Sequence, residues 1–205
     1  MGWTIDIYSD AELRNLSQQK YLKTKAELKK AGAGERAHDL KLSEDMARAG
    51  VSAELAFGMQ FGNGAIDQWM LSSGENYGKD FLAEWTLLDK ATEVKFTKYW
   101  GSSSGILFMR CKSGDARKGQ SLPLSYWQRV LPDSYFVLLH RKGNGHMFEF
   151  VGWVTRDVFL ANWSKSAALL QKLNGWKPGY PAICLLWKDL NSSWEELMTR
   201  RVVYS

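Results

Sequence analysis

The order of segments in this chain predicts an α/β fold with a mixed central sheet. Three observations carry that expectation. Helical apolar spacing dominates the first third, strand-length apolar runs begin near residue 81, and helices and strands then interleave. At 205 residues the chain suits one domain with a true core, or one domain with a small appendage.

Residues 10–31 read as a helix, with Asp10 placed to cap it and Leu13, Leu16, Tyr21, Leu22 and Leu28 as a partial apolar stripe. Ala31-Gly32-Ala33-Gly34 breaks that pattern. Residues 43–48 predict a second helix ending at Gly50. A third starts at Ser52 and runs to Phe61, where Gly62-Asn63-Gly64 stops it. Its small residues Ala53, Ala56 and Gly58 allow a neighbour to pack closely. Residues 72–79 read as a glycine-rich loop. Residues 81–88 and 92–99 read as two strands of a hairpin turned at Asp89-Lys90. Further strands are expected over 106–112, 135–140, 147–154 and 182–187. Helices are expected over 124–131, after Thr155 as N-cap, over 164–173, and over 193–201 with Glu195 and Glu196 in the first turn.

Composition narrows the class. Apolar residues make up 45% and charged residues 24%, which excludes a disordered chain. No apolar run approaches the roughly 18 residues of a membrane span, and the first residues do not read as a signal peptide. Cys111 and Cys184 sit in apolar runs, and His38, His140 and His146 are scattered. Buried thiols are therefore expected rather than a zinc site, in a reducing, cytoplasmic setting. The net charge of +5 is compatible with a polyanionic partner. Lys20, Lys23, Lys25, Lys29 and Lys30 read as either a solvated helix face or a phosphate-contacting one. No nucleophile elbow and no Walker loop is present.

The chemically informative residues are Asp80 and the triplet Glu93-Val94-Lys95. Side chains alternate along a strand, so Thr92, Val94 and Phe96 share a buried face. Glu93 and Lys95 share the other, expected to be open. Asp80 follows the glycine-rich loop at the start of the preceding segment, and a helix bearing Glu54 lies upstream. Simple hairpin pairing places Glu84 nearer Glu93 than Asp80, so Glu84 stands as the alternative acid.

This combination resembles the PD-(D/E)XK nuclease superfamily, the restriction-endonuclease-like fold. Gly50-Val51-Ser52-Ala53-Glu54-Leu55-Ala56 looks like the family's Glu-bearing helix. Gly78-Lys79-Asp80 looks like its Asp position, with Lys in place of Pro, and Glu93-Val94-Lys95 like the second half of the motif. Residues 133–139 and 150–155 look like its flanking strands. The resemblance spans residues 50–160. It implies a nuclease-like domain over 50–205 behind a helical extension over 1–49. It also implies Mg²⁺, with Mn²⁺ substituting, held by Asp80, Glu93 and the Val94 carbonyl. Glu54 is then an outer or second-metal ligand. Such oxygen ligands suit Mg²⁺. Lys95 is implied to orient or help deprotonate the attacking water. The implied partner is DNA, cut by an endonuclease of phage, restriction or repair type, and dimerisation follows by the same analogy. A nucleic-acid binder without catalysis is the alternative, and a protein-interaction subunit docking through the helical N-terminus is a third reading. Gln128, Arg110, Lys112, Arg117 and Lys118 are candidate phosphate or site contacts, and Trp100 a candidate base-stacking residue.

Overall fold

The computed structural model describes residues 2–30, 44–72, 79–97, 106–110, 122–143, 145–165 and 182–203. Expectations that fall on Trp100, Lys112, Arg117, Lys118, Cys111, His38 and most of 164–173 lie outside these residues, as does the side chain of Arg110. The fold is mixed α/β, with a four-stranded mixed sheet flanked by helices.

The chain opens with a short strand, β1 (Thr4–Asp6), followed by α1 (Ala11–Lys30). Asp10 caps α1 as expected, accepting from the Glu12 and Leu13 amides at 2.7 and 3.2 Å. Such a cap is worth about 1 kcal/mol. The two helices expected around Gly50 are one, α2 (Glu44–Gly58), continued by a 3-10 turn at Met59–Phe61. A mid-helix glycine costs only about 1 kcal/mol. Here Ala49, Val51, Ala53, Leu55, Ala56 and Phe57 are all buried, and that packing holds the helix through Gly50. Gly62, at φ +88°, ends the turn as expected. An unanticipated helix, α3 (Asn63–Leu71), follows at once.

Residues 81–88 do not form a strand. Phe81 makes a single antiparallel bridge to Thr92, and the chain then turns through a short helix, α4 (Ala83–Thr86). Leu87 adopts a left-handed conformation, φ 58°, immediately after it. The expected hairpin is thus replaced by one bridged residue and a turn.

The remaining elements lie close to expectation. They are β2 (Ala91–Thr97), β3 (Ile106–Arg110), α5 (Leu124–Val130), β4 (Ser134–Lys142), β5 (Met147–Thr155), α6 (Arg156–Ala161), β6 (Ala182–Leu186) and α7 (Trp194–Met198). Ser193 caps α7 by accepting from the Glu196 amide at 3.0 Å.

The main sheet runs β1-β5-β4-β2, and β3 pairs with β6 separately. β2 lies parallel to β4, whereas β4 and β5 form an antiparallel hairpin. Alternation along β4 sorts the core into two. Tyr135, Val137 and Leu139 join Val94, Phe57, Trp69 and Phe81 on the face covered by α2 and α3. Phe136 and Leu138 join Trp127, Phe159, Ile183 and Leu185 on the other. Ile7 and Tyr21, from the N-terminal segment, belong to the first cluster. No helix among the described residues is long and apolar enough to cross a membrane.

Candidate active site

β2 is an edge strand, and its outer edge organises the site. Each residue of a strand points its N–H and C=O to the same side, alternating along the chain. Thr92 turns both groups outward. Its amide donates to the Phe81 carbonyl at 2.8 Å, and its carbonyl accepts from the Asp80 and Phe81 amides at 2.9 and 3.0 Å. Val94 is the next outward residue. Its amide donates to Asp80 Oδ2 at 2.7 Å, so its carbonyl points to the same edge. One bridge therefore seats Asp80 beside the Glu93-Val94-Lys95 triplet.

That pairing brings Asp80, and not Glu84, beside the triplet. Phe81, not a residue near Glu84, is the partner of Thr92. Glu84 lies in α4 and is exposed. Phe81 is seated by Gly58 at the end of α2, where a Cβ would lie 2.9 Å from the aromatic ring. The small residue picked out for close packing thus controls where Asp80 sits.

Glu93 and Lys95 share the face opposite Val94, as alternation requires, and they form an ion pair. The face is not open. Glu93 stands in register with Phe136, which is fully buried in the second core cluster, and is itself 4% exposed. Lys95 keeps 35% of its side chain accessible. Glu93 Oε2 is buried with no hydrogen-bond partner among the described residues.

Glu54 comes from α2, which packs against β2. Its Oε2 accepts from the Trp69 indole Nε1 at 2.9 Å. The carboxylates perturb one another. Burial, then Glu93 and Glu54, push Asp80 well above the usual carboxylate range, against the Lys95 charge and the Val94 amide. Burial also raises Glu54, opposed first by the Trp69 N–H and then by Lys95. For Lys95 burial acts downward, but Glu93, Asp80 and Glu54 together outweigh it, and the ammonium is held above its ordinary range.

Two residues not anticipated as site components lie beside it. Trp69 binds Glu54 directly. Lys20, 5% exposed, carries its ammonium close enough for Glu54 and Asp80 to act on it. The Lys20 ammonium donates to the Trp69 carbonyl, and to the Ser72 carbonyl and hydroxyl at 2.9 Å each. Lys23 donates to the Met70 and Leu71 carbonyls at 3.0 and 2.8 Å. These two lysines thus satisfy the carbonyls at the C-terminus of α3, where cations are favoured. That use corrects the reading of Lys20 and Lys23 as a solvated or phosphate-contacting face. Gln128 lies on an exposed position of α5, and its carbonyl accepts from Arg156.

Among the described residues, no group of three or more His, Cys, Asp and Glu side chains is arranged to hold a metal ion. Asp80, Glu93 and the Val94 carbonyl nonetheless supply three oxygen donors along one short stretch of edge, one of them the Glu93 oxygen that lacks a partner among the described residues. Mg²⁺ commonly takes one or two carboxylates and keeps several waters, so this donor set fits it. No protein-family model, curated protein or solved structure matches this chain.

Proposed function

We propose that this chain is a metal-dependent nuclease of the restriction-endonuclease-like type, hydrolysing DNA phosphodiester bonds. The observation that carries the reading is the juxtaposition of Asp80, Glu93 and Lys95 at one strand edge, with Glu54 nearby. One buried acid and two partly buried ones around a single lysine are poor structural glue, because charge that is withdrawn from water and incompletely paired is costly. They make sense where a cation completes them.

In this reading Asp80, Glu93 and the Val94 carbonyl would hold Mg²⁺ or Mn²⁺. Glu54 contributes from the outer side. The bound ion supplies charge neutralisation at the scissile phosphate and favours an anionic nucleophile near neutral pH. Lys95 holds its proton at Nζ, since the neighbouring acids raise it, and is suited to orient the attacking water and offset phosphate charge. The Val94 amide fixes the Asp80 carboxylate by binding Oδ2 and leaves Oδ1 unengaged by that bond. DNA is the partner, an endonuclease of phage, restriction or repair type the role, a homodimer the assembly for double-strand cutting, and the cytoplasm the setting.

One observation favours a second reading, a nuclease-like fold that binds nucleic acid without cutting it. Glu93 is closed onto Lys95, and no three-acid cage stands ready among the described residues. A single assay separates the two. Supercoiled and linear DNA are incubated with the protein in Mg²⁺ and in EDTA. Cleavage in Mg²⁺, silenced by EDTA and lost in Lys95→Ala by about 10²–10⁴-fold, is the expected result. Salt-sensitive binding with no cleavage under either condition would establish the second reading instead.

A further inference from the structure

We propose that Trp69 is a positioning residue for Glu54: its indole N–H fixes which carboxylate oxygen is left to face the metal. The inference rests on the nuclease reading above and assigns a role to a residue outside the acid-lysine set.

The indole carries a single donor and no acceptor. It spends that donor on Glu54 Oε2 at 2.9 Å, which occupies one acceptor site of that oxygen and leaves Oε1 unengaged by the indole. The ring cannot drift. Trp69 is 1% exposed and stacks on Phe81, centroids 6.4 Å apart and planes 11° from parallel. Lys20 stands 5.1 Å from the ring centroid and also binds the Trp69 carbonyl. The Ser72 hydroxyl donates to that carbonyl at 2.7 Å.

Phe81 directly follows Asp80. One side chain therefore references both acid-bearing segments, Glu54 by its N–H and Asp80 by its stack. A residue that served only as core filling would need the ring and not the nitrogen. A polar group orienting a metal-binding carboxylate typically governs metal affinity by 10–100-fold.

The test separates nitrogen from ring. Trp69→Phe keeps the aromatic stack and removes the donor. Mn²⁺ is titrated calorimetrically into the full chain without nucleic acid, for wild type, Trp69→Phe, Glu54→Gln and the double variant. Expected results are Mn²⁺ binding by wild type and about 10–100-fold weaker binding by Trp69→Phe. The double variant should be no weaker than Glu54→Gln alone, to within about twofold, because the indole acts through Glu54. Equal affinity of Trp69→Phe and wild type, or a full second loss in the double variant, overturns the inference and leaves the nuclease reading intact. A wild type that binds no Mn²⁺ removes both. Should Trp69→Phe not fold, the Trp69 indole resonance of ¹⁵N-labelled protein decides. It is expected to move on Mg²⁺ addition and in Glu54→Gln, and a resonance unmoved by both overturns the inference.

Discussion

One helix, α2, serves two buried polar clusters, and they are built on opposite terms. Ser52 is fully buried, and its hydroxyl lies 2.8 Å from Ser17 Oγ and 2.8 Å from His146 Nδ1. The Tyr8 ring stacks on the His146 imidazole, centroids 3.7 Å apart and planes 5° from parallel. Burial, and then Arg141, hold His146 below its ordinary range, so the imidazole stays neutral. This network is uncharged, and none of its three side chains has a buried atom left unpaired. Two residues along the helix, Glu54 opens on two further carboxylates, a raised Asp80 and a Glu93 with one oxygen unpaired among the described residues. Buried polar groups stabilise when every one is paired and cost free energy when one is not. The first cluster is finished as structure. The second is unfinished, which a fold tolerates where a ligand completes it.

The largest expected effect breaks the comparison on the unfinished side. On the proposed nuclease reading, Asp80→Asn removes a ligand charge and should lower Mg²⁺-dependent cleavage by at least about 10²-fold, the usual lower bound for a site residue of this kind. Glu84→Gln, on the exposed turn, should stay within about twofold. Reversal of that order in a DNA cleavage assay would restore Glu84 as the strand acid. The next effect breaks the finished side. Ser52→Ala orphans both Ser17 and His146 and should cost about 1–3 kcal/mol of stability. At this chain length that is about 2–4 °C of melting temperature per kcal/mol. Cleavage measured well below the transition should be unchanged. Lost cleavage in a folded Ser52→Ala protein would mean the two clusters are coupled through α2.

Much of this division was legible in the chain, and the failures share one cause. Period-two alternation put Glu93 and Lys95 on one face and Val94 on the other, and the structure agrees. The apolar runs of β4 and β5 announced themselves in the same way. Local signals misled where tertiary contacts outweighed them. Gly50 reads as a stop, yet its helix continues because both flanks are buried. Residues 81–88 read as a strand, but only Phe81 pairs and the rest turn. β1 is three residues long, too short for any periodicity to register. The Trp69–Glu54 hydrogen bond spans fifteen positions, and no spacing rule announces it. The lysines of α1 looked like a solvated face because charge patterning cannot show that α3 ends beneath two of them.

The smallest effect sharpens the comparison through pH. Asp80 titrates above its ordinary value in the folded protein because burial, then Glu93 and Glu54, disfavour its charged form. Between that ordinary value of 3.8 and the raised one, the folded state binds more protons than the unfolded state. The metal-free protein therefore carries the full penalty above the raised value and sheds it as pH falls through that value. Asp80→Asn never carries the penalty. In EDTA it should exceed wild type in stability, most at the high-pH end of the range. That gap should narrow in acid and close below about pH 4, where both forms are uncharged. His140 and His146 act in the opposite direction. Burial, their largest influence, lowers both, so they cost stability as pH falls below 6.5. Both proteins carry them equally, and they cancel in the difference. Urea unfolding of the two proteins from pH 4 to 8 measures it. A gap of constant size across that range would mean that Asp80 ionises like any exposed carboxylate, and the edge of β2 would then be as finished as the cluster around Ser52.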